Sequence, residues 1–98
     1  MSIEAPLSRV ESLLDYLITA DVVANTFGTT WEIRDGLEQI DKGTPTDAPS
    51  GLPAETLDRL RGLLTTIEDN RALFAIPEKH LIDQVYRVAR RIREKVGA

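Results

Sequence analysis

The chain has 98 residues, 42% of them apolar and 29% charged, with a net charge of −4 and no cysteine. That is enough apolar content for one folded domain, 1–98, and too much for a disordered chain. The missing thiols exclude disulfide staples, thiolate zinc sites, iron–sulfur clusters and cysteine nucleophiles, and fit a reducing, cytoplasmic setting.

The charge is unevenly placed. Residues 1–70 carry 13 acids against 5 bases, and residues 71–98 carry 7 bases against 3 acids. Most of the surface should therefore repel a phosphate backbone, and the basic C-terminal stretch is the exception. No window approaches the roughly 18 uninterrupted apolar residues needed to span a bilayer, so no membrane partner is expected. The start, MSIEAPLSRVES, has no basic n-region before an apolar run, so no secretory signal is expected.

Apolar spacing is helical throughout, which predicts an all-α bundle of four to five helices. The first helix is predicted over 7–19, with Ser8 and Glu11 as a capping box. Leu7, Val10, Leu14 and Leu17 form its stripe, widened by Leu13 and Ile18. Continuing that helix would place Asp21 in the apolar stripe, so a break near 19–21 is predicted. A short second helix then spans 20–27 and ends at Gly28 in a left-handed turn. Thr29 or Thr30 caps a third helix over 30–40, whose apolar positions are Ile33, Leu37 and Ile40. Residues 41–52, DKGTPTDAPSGL, read as the one long loop and the most mobile segment, without an apolar anchor before Leu52. Pro53 opens a fourth helix over 53–69, with Leu57, Leu60, Leu64 and Ile67 buried and Leu63 beside them. NRALFAI connects it to a fifth over 77–96, whose inner arc is Leu81, Ile82, Val85, Val88, Ala89, Ile92 and Val96.

Residues 19–40, TADVVANTFGTTWEIRDGLEQI, resemble a helix-turn-helix unit. Thr19 stands five residues before Ala24, Gly28 four after it, and Thr30 where a recognition helix is usually capped. The resemblance implies a tri-helical unit and a nucleic-acid-binding regulator. It departs from the pattern at Arg34, which occupies the usual core position, while the apolar Ile33 comes one residue early. Residues 29–41 also carry Glu32, Asp35, Glu38 and Asp41 against a single Arg34. A recognition helix so charged forfeits the counterion release that drives DNA affinity. The acidic face suits a protein partner instead.

Trp31 points away from the stripe of Ile33, Leu37 and Ile40, toward Arg34, Asp35 and Glu38, and these four residues are the expected partner-binding surface. The last helix presents a second, basic face of Arg87, Arg90, Arg91 and Arg93, partly neutralised by Asp83 with Arg87 and by Arg90 with Glu94. His80, the lone histidine, lies with Arg87 and Arg91. Its run HLIDQ has Asp83 where the H-x-x-K-G of histidine phosphotransfer domains carries lysine, so it reads as a surface histidine. Glu11 and Asp15 share a face without a histidine, which makes no metal site. No serine sits in a G-x-S-x-G elbow and no phosphate-binding glycine loop is present.

The expected function is accordingly a non-enzymatic, cofactor-free, regulatory protein-binding module: an antiactivator, adaptor or inhibitor that occludes a partner. The alternatives are the helix-turn-helix nucleic-acid binder and a structural subunit of a larger assembly, such as a phage particle, which would self-associate.

Overall fold

The computed structural model describes residues 3–20, 26–70 and 79–97, with the side chains of all but 20, 26–28 and 79–82. Five helices follow in order: α1 Glu4–Ala20, α2 Thr26–Gly43, α3 Ala48–Gly51, α4 Ala54–Asp69 and α5 Lys79–Val96. No strand occurs among the described residues.

α1 starts three residues earlier than its sequence suggests. The Leu7 N–H bonds to the Ile3 carbonyl at 2.9 Å, and Pro6 sits in the first turn, where its missing N–H costs nothing. Ser8 and Glu11 are therefore inside the helix and do not form a capping box. The early start adds Ile3 to the stripe, so Ile3, Leu7, Val10, Leu14 and Leu17 are buried at alternating three- and four-residue spacing. Ile18 does not widen that stripe, being 45% exposed.

The greatest departure lies at 20–30. Of the expected 20–27 helix, Ala20 belongs to α1 and 26–27 to α2, and residues 21–25, Asp21 among them, fall outside the described residues. Gly28 is helical and is no turn. Among the described residues the one glycine with positive φ is Gly97, at 78°. Thr29 and Thr30 are buried within the helix, so neither is its N-cap. A threonine carries no more helix penalty than many apolar residues, so a polar pair on the inner face need not stop a helix that packing favours.

Ile33, Leu37 and Ile40 are fully buried, as expected, and α2 lies between α1 and α5. Its approach to α1 depends on two glycines seven residues apart. A Cβ at Gly36 would fall 2.4 Å from Val10 Cγ2, and one at Gly43 would fall 2.7 Å from Ile3 Cγ2. Glycine is needed at both crossings because α1 occupies the space a side chain would take.

Residues 41–52 are not one loop. α2 continues through Gly43, Thr44 Oγ donates to the Ile40 carbonyl at 2.6 Å, and α3 places Ala48 fully in the core. The apolar anchor is this alanine, four residues before Leu52. α4 and α5 lie where the periodicity puts them, with Leu57, Leu60, Leu63, Leu64 and Ile67 buried on the first and Val85, Val88, Ala89, Ile92 and Val96 on the second. Pro77, Leu81 and Ile82 fall outside the described side chains.

Polar bonds then close the ends. Tyr86 Oη donates to the Ile67 carbonyl at 3.1 Å, Arg61 to the Val96 carbonyl at 2.7 Å, and Lys95 Nζ to the Asp41 carbonyl at 2.8 Å. The Ile67 and Val96 carbonyls lie in last turns whose carbonyls lack intrahelical partners, and the Asp41 carbonyl also accepts from the Thr44 N–H at 3.3 Å.

Candidate protein-interaction surface

The outer face of α2 gathers the four residues that the sequence nominated. Trp31, Arg34, Asp35 and Glu38 lie within two helical turns, where three- and four-residue spacings are neighbours. Trp31 is 36% exposed. The Arg34 guanidinium lies over its ring, 4.3 Å from the centroid. Arg34 Nη2 donates to Asp35 Oδ1 at 2.9 Å, Nη1 donates to Gln84 Oε1 of α5 at 2.9 Å, and Glu38 Oε1 lies 4.0 Å away. Arg34 is therefore no displaced core residue. It is half-buried, reaches across to α5, and its charge is balanced by two carboxylates. An aromatic ring with an immobilised guanidinium stacked on it is an amphipathic platform with little conformational freedom left to lose.

Further along the helix pair, Arg9 of α1 meets Glu32 of α2 at 3.7 Å on the surface. The acids of α2 thus have separate duties. Glu32 pairs with α1, Asp35 and Glu38 hold Arg34, and Asp41 receives Lys95 at 2.9 Å and Arg91 at 3.5 Å.

The expected basic face of α5 divides. Arg91 turns to Asp41, and Arg93 donates to Glu68 of α4 at 2.6 Å and to Thr65 at 3.3 Å. Arg87 and Arg90 are exposed. Among the described residues neither Asp83–Arg87 nor Arg90–Glu94 forms an ion pair; the α5 arginines that do pair, Arg91 and Arg93, meet acids of α2 and α4. Arg87, Arg90 and Arg91 thus share an exposed face of α5, while Arg93 is drawn toward α4. The side chain of His80 lies outside the described residues. Among those described, no group of three His, Asp or Glu is arranged to hold a metal ion, and no helix is long and apolar enough to cross a membrane.

One polar cluster escaped the sequence reading. Arg59 of α4 donates to Glu4 at 2.7 Å, to Glu11 at 2.6 Å and to Ser8 at 3.2 Å, three residues on one face of α1. Its hydrogen bonds to the carboxylates of Glu11, then Glu4, hold its pKa above the ordinary arginine value. The one-face spacing of 4, 8 and 11 was visible beforehand, but not which base would meet it.

Comparison with protein-family models, with curated proteins and with solved structures yields no match for this chain.

Proposed function

We propose that this protein is a small, non-enzymatic, regulatory protein-binding module that acts in the cytoplasm by occluding a partner through the outer face of α2. The observation that carries this reading is the exposed Trp31 with Arg34 held over its ring by Asp35 and Gln84. Tryptophan and arginine are the residues most enriched at binding hot spots. A side chain already fixed in the free protein loses less entropy on association. The surrounding acids favour a partner that is not itself strongly acidic.

The test is capture from an extract of the native host with immobilised wild type, Trp31→Ala and Arg90→Ala, read by mass spectrometry. A protein retained by wild type and Arg90→Ala but lost with Trp31→Ala supports the reading. Identical capture by all three sinks the α2 surface. Retention of duplex DNA at low salt that falls steeply as salt rises would replace the protein partner with a nucleic acid.

A further inference from the structure

A second surface lies on the other side of α1. α1 and α4 run side by side in the same direction: Thr56 and Arg59 meet Glu4, Ser8 and Glu11, and Gly62, Leu63 and Thr66 face Leu14, Asp15 and Ile18. Arg59 clamps them together at one end. Beyond Glu11 no hydrogen bond or ion pair joins them among the described residues, and a groove of about 470 Å³ opens between them. Leu14 and Leu63 form its floor, and Ile18 stands in its wall 45% exposed.

Gly62 makes this groove more than a gap. Gly36, Gly43 and Gly51 each have a neighbour within 2.7 Å of where a Cβ would be. At Gly62 nothing lies within 4 Å, and the residue is exposed in the middle of α4. Glycine weakens a helix interior, and no contact among the described residues repays that cost here. What a missing side chain offers at this point is close approach to the α4 backbone from outside. The charge of the rim indicates what approaches. Glu11 and Asp15 line the α1 side against one base, Arg59, which is already committed to Glu11 and, at the clamped end, to Glu4. Asp15 has no ion-pair partner among the described residues.

We propose that the α1–α4 groove receives an amphipathic helix of another protein, one whose narrow apolar stripe of small and aliphatic residues is flanked by lysine and arginine. Its stripe covers Leu14, Ile18 and Leu63, its backbone approaches α4 at Gly62, and a flanking base meets Asp15. This surface is separate from Trp31, so it stands or falls independently of the α2 reading.

The experiment uses the full chain, labelled with 15N, and two synthetic amphipathic helices that share a Leu/Ala stripe, one flanked by lysines and one by glutamates. The lysine-flanked helix is expected to shift the amides of Asp15, Ile18, Gly62 and Thr66, with no such shifts from the glutamate-flanked one. Gly62→Gln fills the gap without altering charge, and it should weaken the lysine-flanked helix about tenfold while the melting midpoint does not fall. Asp15→Asn should weaken it as well. Shifts located elsewhere, equal binding of both peptides, or unchanged affinity for Gly62→Gln would each overturn the proposal. So would light scattering that shows a dimer dissociated by Gly62→Gln, since the occupant would then be a second copy.

Discussion

Gly36 and Gly62 are both helical glycines, and their surroundings predict opposite responses to the same methyl group. At Gly36 a Cβ meets the branched, fully buried Val10 at 2.4 Å, so either the side chain or the helix axis must shift. Gly36→Ala should destabilise by about 1–3 kcal/mol, the range for an overpacked core. Gly62→Ala enters open space in an exposed helix and should stabilise by about 0.5–1 kcal/mol through helix propensity alone. Urea melts of the two variants decide this, and a shift of the same sign in both would contradict the α1–α2 packing. Trp31 gives a third residue-level outcome, because it is the only tryptophan. Its emission in the free protein should lie toward that of solvated indole and be quenched by acrylamide. Trp31→Ala should leave the melting midpoint nearly unchanged and weaken partner binding by more than ~1 kcal/mol. Blue-shifted, quencher-resistant emission would make it a core residue.

α2 is the element whose extent most affects the functional reading. A helix that starts at Thr26 has its first intrahelical N–H bonds from Thr30 onward. A helix that started at Thr30, after a turn at Gly28, would leave the amides of 30–33 without intrahelical acceptors. Amide exchange separates the two directly: protection at Thr30, Trp31, Glu32 and Ile33 is expected, and rapid exchange there would restore the turn. The same measurement tests α3. The Gly51 N–H bonds to the Asp47 carbonyl and the Leu52 N–H to the Ala48 carbonyl, both at 3.0 Å, so both should exchange more slowly than free loop amides.

Across the whole molecule, ion pairs link helices that the apolar core already brings together. Most of these pairs are exposed and each contributes little, within about 0–1 kcal/mol. Asp41 differs, because its side chain is only 16% exposed and takes Lys95 and Arg91 from α5 at once. An acid this close to a helix C-terminus is unfavourably placed with respect to the helix dipole, and the two bases from α5 offset that. Asp41→Ala should cost about 1–3 kcal/mol, since it leaves Lys95 part-buried without its carboxylate. A melting midpoint equal to that of wild type would show that the Asp41 carboxylate contributes nothing to holding α5 on α2.

The all-α class and the stripes of α1, α2, α4 and α5 could be read from the sequence because each is a local, periodic property of consecutive residues. Trp31 was legible for the same reason: its angle from Ile33, Leu37 and Ile40 follows from the helical repeat. Gly28, Thr29 and Thr30 misled because glycine and threonine state a preference of less than about 1 kcal/mol, which tertiary packing of α2 overrides. The composition of 41–52 misled similarly, since one alanine anchors it and alanine carries almost no hydrophobic signal. Gly36 and Gly43 stood seven residues apart on the buried stripe, a legible sign of close approach, but only the tertiary structure names Val10 and Ile3 as the groups that approach. Partner choice among charges was the least legible. Arg91, Arg93 and Arg59 pair across helices and not within their own, because the packing of α1, α2, α4 and α5 brings acids from distant parts of the chain nearer than the local ones. The stacking of Arg34 on Trp31 is local in sequence, but its immobilisation by Gln84 is decided by the position of α5.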